Sequence, residues 1–144
     1  MTTQTLADFL LSPRIILSRD EHRTLLTLAM AGTGHTADDS DQLLYELERA
    51  TVVADGAVPP DVVRMGSTVT FRSGDETRAV RLVYPKDADI AQGKVSVLTP
   101  IGTALIGLRT GQSITWRTRD DRRQTLTVLR VIQAEDEPEP PAAA

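Results

Sequence analysis

Three carboxylates stand close together in the first third of the chain, at Asp38, Asp39 and Asp41. Carboxylate oxygens are hard ligands of the kind that Mg²⁺ prefers, so this spacing could support metal-assisted chemistry. Short acceptors of the same type also cap the first turn of a helix and interact favourably with its dipole. We interpret the three aspartates as the start of a helix, with metal binding as the alternative.

Other catalytic chemistry has less support. His22 and His35 are the only histidines, and neither stands in a Ser-His-Asp arrangement or in metal-ligand spacing. The chain has no cysteine, which excludes a disulfide and a thiolate nucleophile or ligand. The glycines match neither a dinucleotide-binding nor a Walker pattern. We therefore expect no enzyme activity, no catalytic residue, no metal and no cofactor.

The net charge of −4 is unevenly distributed along the chain. Residues 1–55 contain 4 Lys and Arg against 9 Asp and Glu, residues 56–134 contain 12 against 7, and residues 135–144 contain 0 against 4. Four arginines form a basic turn: Arg117, Arg119, Arg122 and Arg123. This turn could attract an acidic protein surface or nucleic acid, but no aromatic residues are interleaved for base stacking, so we expect no sequence-specific nucleic-acid recognition.

The acidic front of the chain predicts two helices. Ser18 followed by Glu21 is a capping box that begins the first helix, and the glycines at 32 and 34 end it. The second helix begins near the three aspartates, and Glu46 and Arg49 can pair on its surface. Its apolar stripe consists of Leu43, Leu44, Leu47 and Ala50. Two helices of about 13 residues, joined by a short loop, predict an antiparallel hairpin roughly 20 Å long.

The rest of the chain has mostly the two-residue period of strands. We predict strands over residues 68–72, 77–84, 95–98, 113–117 and 124–132. In the last of these, Leu126, Val128 and Ile132 are predicted to share one face. A short helix follows Thr99-Pro100, where Thr can cap and Pro fits the first turn, and it is predicted to continue through Leu108 until Gly111.

These elements predict an α+β fold: a helical hairpin, then an antiparallel sheet of about five strands with one short helix. We divide the chain into residues 1–55 with the hairpin, a domain over residues 56–134, and a disordered acidic tail over residues 135–144. No stretch approaches the roughly 20 apolar residues of a membrane span, so we expect a cytoplasmic protein.

The stretch Lys94 to Trp116, KVSVLTPIGTALIGLRTGQSITW, resembles the signature of the carboxy-terminal domain of the Gre transcription elongation factors. It is also similar to the shorter Rnk proteins, the regulators of nucleoside diphosphate kinase. Two further sequence segments, at residues 58–67 and 82–85, occur in the same order as in that family. The resemblance implies an FKBP-like fold for residues 56–134 and an antiparallel coiled coil for the hairpin.

The resemblance also implies a function, namely docking on core RNA polymerase at the rim of its secondary channel. Carried over by position, the docking residues are Leu98, Thr99, Pro100 and Ile101. The main hypothesis is a non-enzymatic, monomeric regulator that occupies the channel entrance and competes with longer channel-binding factors. The Gre hairpin is far longer than this one, so Asp38, Asp39 and Asp41 should stop short of the polymerase active centre.

Two alternatives remain open. One is a Gre-like elongation factor that stimulates transcript cleavage through the hairpin-tip aspartates. The other, implied by an FKBP-like fold, is a prolyl isomerase or chaperone. Isomerases of that family use a pocket lined with aromatic side chains, whereas this chain has few aromatic residues, and Trp116 stands in an alternating strand that favours a sheet-face position.

Overall fold

A computed structural model describes residues 13–31, 37–117 and 122–134, including all side chains in these ranges except those of residues 37–39 and 117. The predicted disorder of residues 135–144 and the hairpin loop at residues 32–36 lie outside the described residues.

The first half of the chain forms the predicted antiparallel helical hairpin. Helix α1 spans Arg19–Ala31 and helix α2 spans Ala37–Arg49, each with 13 residues. The backbone amide of Glu21 donates to Ser18 Oγ at 3.1 Å, which confirms the predicted cap. His22 Nε2 lies 3.0 Å from the carbonyl oxygen of Leu47, so the start of α1 contacts the end of α2.

A two-stranded parallel sheet closes the base of the hairpin. Strand β1 (Ile16–Ser18) precedes α1, and strand β2 (Thr51–Val53) follows α2. The sequence analysis predicted neither of these strands nor their pairing. β1 is fixed to the rest of the molecule because the amide of Ile16 donates to the carbonyl of Gly107 at 3.0 Å.

The second half of the chain forms a five-stranded sheet. Its strands are β3 (Thr68–Ser73), β4 (Glu76–Val83), β5 (Lys94–Ser96), β6 (Ser113–Arg117) and β7 (Arg123–Ile132), in the spatial order β5-β4-β3-β7-β6. Two 3₁₀ turns, at Pro85–Asp87 and Ile90–Gln92, connect β4 to β5. Helix α3 spans Pro100–Leu105 between β5 and β6.

Three details of the prediction are wrong. The sheet is mixed and not wholly antiparallel, because β5 pairs with β4 in parallel. Helix α3 ends at Leu105, well before Gly111, because Ile106 leaves the helical conformation (φ −57°, ψ 130°) and Gly107 has a positive φ of 79°.

The third error concerns the core face of β7. The pairing between β3 and β7 shifts by one residue between Thr70 and Phe71, so Leu129 is an extra residue in β7. Such a bulge reverses the alternation beyond it. Val131 therefore faces Val69 and packs on the core, in place of the predicted Ile132.

The hairpin and the five-stranded sheet share one hydrophobic core. Leu25 and Leu43 from the hairpin belong to the same buried cluster as Phe71 from the sheet and Leu105 from α3. Helix α2 also packs directly against α3. The hairpin therefore lies on the body along its buried side and does not project freely from it. The FKBP-like and coiled-coil classifications stay predictions.

Candidate docking surface at the start of helix α3

The loop between β5 and α3 is held in one conformation by a compact set of hydrogen bonds. Thr99 caps the helix, since its Oγ1 accepts from the amide of Gly102 at 3.1 Å. The same hydroxyl donates to the carbonyl of Ser96 at 2.7 Å, and the amide of Leu98 donates to Ser96 Oγ at 3.0 Å. The side chains of Ser96 and Thr99 therefore both make hydrogen bonds within the loop. These bonds hold the loop in one conformation before any partner binds.

Close packing beneath the helix restricts the loop further. Thr103 Oγ1 donates to the carbonyl of Val97 at 2.7 Å. A Cβ atom added at Gly102 would lie 2.1 Å from the carbonyl oxygen of Ser96, so only glycine fits there. The first turn of α3 thus lies directly on the backbone of the loop that leads into it.

The four predicted docking residues are adjacent, but they are not equally accessible. Thr99, Pro100 and Ile101 are half-buried and reach the surface, and we call these three residues the docking edge. Leu98 is only 3% exposed and belongs to the hydrophobic core, so its side chain anchors the loop from inside and cannot touch a partner in this conformation.

An open groove of about 340 Å³ begins at this edge. Its floor includes Val80, Val95 and Trp116, and Ile90 stands at its margin with 86% of its surface exposed. Arg78, Lys94 and the three surface residues of the docking edge also line it. The groove combines an apolar floor with cationic margins, which suits a protein segment that carries an apolar anchor beside acidic groups.

Sequence reasoning missed most of this groove. Ile90 is an isolated apolar residue within the polar loop of residues 85–93, and a lone exposed isoleucine there was the one available signal. The contributions of Arg78 and Lys94 depend on the pairing of β4 with β5, which periodicity does not predict.

Trp116 separates this groove from a second cleft, of about 310 Å³, between α2 and the body. The indole is half-buried and packs against the core, as its alternating strand predicted. Its Nε1 is buried and has no hydrogen-bond partner among the described residues. The second cleft also contains Pro100, Tyr45 and Asp41.

The hairpin-tip aspartates occupy the first turns of α2. Asp38 and Asp39 lie in that helix, and the structure does not describe their side chains, whereas Asp41 is exposed at the second cleft. Within the described ranges, no three His, Cys, Asp or Glu side chains are grouped so that they could hold a metal ion.

The predicted basic turn is described only in part. Arg122 and Arg123 are exposed, Arg117 ends β6, and Arg119 lies outside the described residues. Arg117 and Arg123 are paired opposite each other on β6 and β7.

Glu21 joins the hairpin to the body. Its Oε2 accepts from the amide of Met65 at 3.3 Å, while Oε1 is buried without a partner among the described residues. Burial raises the pKa of Glu21, against the opposing effects of the Met65 amide and the charge of Arg64. Burial, and then the charge of Glu21, raise the pKa of Tyr84.

Comparison with known proteins identifies the family. The family model described as "Transcription elongation factor, GreA/GreB, C-term" matches residues 58–133, which include the docking edge and all five strands of the large sheet. The chain belongs to the GreA/GreB family.

Individual relatives agree with this assignment. The chain is 40% identical over 102 residues to the regulator of nucleoside diphosphate kinase of Escherichia coli strain K12, covering 69% of this chain and 73% of that protein. It is 33% identical over 112 residues to the transcription elongation factor GreA of Azorhizobium caulinodans, covering 71% of each. These GreA/GreB relatives are a regulator and an elongation factor, consistent with a Gre-like transcription regulator.

A solved GreA/GreB structure extends the similarity beyond the matched domain. The transcription elongation factor GreA/GreB from Nitrosomonas europaea aligns with a TM-score of 0.64 and 36% identity, covering 84% of this chain and 99% of that one. Because the alignment covers more than residues 58–133, it includes part of the hairpin region as well.

In the described part of this chain, no helix is both long and apolar enough to cross a membrane.

Proposed function

We propose that this protein is a regulator that docks on RNA polymerase at the entrance of the secondary channel and competes there with longer channel-binding factors. Docking uses Thr99, Pro100 and Ile101, and the adjoining groove receives a segment of the polymerase rim. The protein acts by occupying the site and carries out no chemistry of its own. The resemblance to Gre factors supplies the kind of partner.

The observation that carries this proposal is the preorganised edge at the start of α3. Its hydrogen bonds are satisfied internally, so little conformational entropy is lost when a partner binds. Pro100 and Ile101 lie beside the exposed Ile90, and the three provide an apolar contact area. Arg78 and Lys94 give the groove a positive margin that selects an acidic partner surface.

The placement of the hairpin supports regulation without transcript cleavage. Its helices have 13 residues each, about 20 Å at 1.5 Å per residue, and α2 packs along α3. The second cleft brings Asp41 within the same pocket as Pro100 of the docking edge. The Asp41 carboxylate, so near the docking surface, is poorly placed to reach a distant active centre.

The test is a binding competition with purified core RNA polymerase. Wild-type protein should bind, a Gre factor should displace it, and Pro100→Ala with Ile101→Ala should weaken binding by at least about tenfold, as expected for loss of two central apolar contacts. Leu129→Ala is the matched control, since Leu129 is a 42% exposed apolar residue on the outer side of the sheet. Its binding should match that of the wild type.

Two results would contradict the proposal. Equal loss of binding in the Leu129 control would show that the effect is not specific to the docking edge. Stimulated transcript cleavage by the wild type, abolished by Asp38→Ala with Asp39→Ala in a protein that still binds, would instead establish the cleavage factor.

A further inference from the structure

The outer face of the five-stranded sheet, which faces away from the core, has an unusual composition. Residues paired directly across strands share a face, and Val69 and Phe71 of β3 are buried. The residues that alternate with them, Thr68, Thr70 and Arg72, therefore point outward. The residues paired with these three, and the residues that alternate with those partners along each strand, also point outward.

Basic and hydroxyl side chains occupy most of this outer face. Arg130 pairs with Thr70, Arg81 pairs with Thr68, and Lys94 pairs with Arg81. Thr125 of β7 pairs with Thr115 of β6 on this face. Arg123, two residues before Thr125 in the same strand, therefore lies on the same face. The hydroxyl residues between them are Thr68, Thr70, Thr77, Ser113, Thr115, Thr125 and Thr127.

Within the five strands no acidic residue lies on this face, although Asp89, which pairs with Lys94 in an isolated bridge, lies beside it at the edge. Glu76 is the single acidic residue in these strands, and its alternation with Val80 places it toward the core side at the end of β4. Five cations, Arg72, Arg81, Lys94, Arg123 and Arg130, thus share one open surface in a chain whose net charge is −4. The positive charge is concentrated by the fold.

We propose that this outer face binds the phosphate backbone of nucleic acid without reading its sequence. Arg, Ser and Thr side chains are the groups that proteins use to contact phosphate oxygens. Protein–nucleic acid interfaces are also more polar and more positively charged than protein–protein interfaces. An acidic protein partner fits less well, because protein interfaces need buried aromatic or aliphatic anchors, and on this face Leu129 is exposed while Ile132, which pairs with Thr68, is only partly exposed.

The spacing of the basic residues sets the expected affinity for nucleic acid and its dependence on salt. Arg72 and Arg130 are diagonal neighbours on adjacent strands, roughly 7–8 Å apart at Cα, and the five strands span about 20 Å at 4.8 Å per strand. Contact with at most about five phosphates gives a slope of log affinity against log salt near −4.5 for duplex DNA. Non-specific binding of this type has a Kd of about 10⁻⁴–10⁻⁶ M at physiological salt.

This inference can be tested independently of polymerase docking, because Arg72 and Arg130 do not line the docking groove, and Lys94 at the edge of the sheet belongs to both surfaces. The experiment measures fluorescence anisotropy of a labelled 20-base-pair duplex of arbitrary sequence, titrated with the full chain at several salt concentrations. The test variant is Arg72→Ser with Arg130→Ser, since both positions are exposed and accept a polar residue without loss of core packing. The control is Arg23→Ser with Lys86→Ser, which makes the same change in net charge away from the sheet face.

Loss of two phosphate contacts should weaken duplex binding at least about tenfold at 50 mM salt and flatten the salt slope by about 1.8, whereas the control should bind as the wild type does. A second duplex of different sequence should bind equally. The Arg72/Arg130 variant should retain polymerase binding, and the Pro100/Ile101 variant should retain duplex binding, so failure of one proposal is distinguishable from failure of the other.

Three outcomes would overturn the inference. They are no duplex binding at 100 µM protein and low salt, equal losses in the test and control variants, or binding of poly-glutamate in preference to the duplex. The last would assign the face to an acidic protein. Thermal unfolding of both variants excludes misfolding as the cause of a loss.

Discussion

At the scale of single residues, Glu21 has a role beyond helix capping. The capping box predicts that its side chain reaches back to the start of α1, but the carboxylate instead accepts from Met65 in the body. The carboxylate is buried there and only one of its oxygens has a hydrogen-bond partner among the described residues. The hydrogen bond to Met65 therefore holds the hairpin on the body, but burial of the ionised carboxylate lowers the stability of the folded state.

This cost gives a pH-dependent prediction. Because burial raises the folded-state pKa of Glu21 above its ordinary value of 4.5, the folded state binds the proton more tightly than the unfolded state. Its contribution to stability is therefore present below the unfolded-state pKa and is lost as the pH rises through the folded-state pKa. Glu21→Gln keeps an acceptor for Met65 and removes the charge, so the variant should be more stable than the wild type at pH 7.

The measurement is urea unfolding of both proteins at pH 7 and pH 4. The advantage of Glu21→Gln should shrink at pH 4, where the wild-type carboxyl is increasingly protonated. Glu48→Gln removes an exposed carboxylate from α2 and serves as the control. A stability difference that does not change with pH would contradict the assignment of the cost to ionised Glu21.

Gly102 supplies a second prediction at this scale. Helix propensity alone predicts that Gly102→Ala stabilises α3 by about 1 kcal/mol. The new Cβ, however, would lie 2.1 Å from the carbonyl oxygen of Ser96 and 2.9 Å from Val97 Cα, both backbone atoms that cannot move independently. We expect a destabilisation of about 3 kcal/mol in urea unfolding. Stabilisation would show that the loop can shift away from the helix.

At the scale of elements, α3 depends on its cap more than a long helix would. It has only 6 residues, so few internal hydrogen bonds offset the cost of nucleation. Thr99 contributes both the bond from Gly102 and the bond to Ser96, and it thereby couples helix formation to the shape of the docking edge.

Thr99→Ala should therefore affect stability and binding together. Loss of the cap should cost about 1–2 kcal/mol in urea unfolding. Polymerase binding should weaken because Pro100 and Ile101 are no longer held in position. Thr99→Ser keeps the hydroxyl and should restore both properties, whereas weak binding by a fully stable Thr99→Ser protein would assign the contact to the lost methyl group.

At the scale of the whole molecule, charge is separated in space as well as in sequence. The hairpin is acidic, the outer sheet face is basic, and residues 135–144 contribute four acidic side chains and no basic ones. Without those ten residues the formal net charge of the chain would be zero. The tail follows β7, the strand that contributes Arg123 and Arg130 to the outer face.

Removal of residues 135–144 should consequently tighten binding to anionic partners. The effect should be present at 50 mM salt and absent at 500 mM, because the Debye length falls from roughly 14 Å to about 4 Å over that range. A variant with Gln and Asn in place of the four acidic residues should behave like the truncation. Unchanged affinity at low salt in both proteins would show that the tail does not screen the body.

Local chemistry was sufficient to predict much of the fold from sequence. The Ser18 cap, the Glu46–Arg49 pair at 2.6 Å, the Thr99 cap and the buried alternation of Val69 and Phe71 all depend on residues within a few positions of one another. Hydrophobic period and capping report such short-range relations directly. The Lys94 to Trp116 stretch indicated the family on the same local basis.

Only the tertiary structure decided how distant segments meet. The parallel pairing of β4 with β5, the bulge at Leu129, the contact of Glu21 with Met65 and the burial of Leu98 each join residues that no sequence period relates. The same holds for the groove beside Ile90 and for the basic outer face. Both are formed by strand pairing, and periodicity indicates which side chains share a face of one strand but not which strands are neighbours.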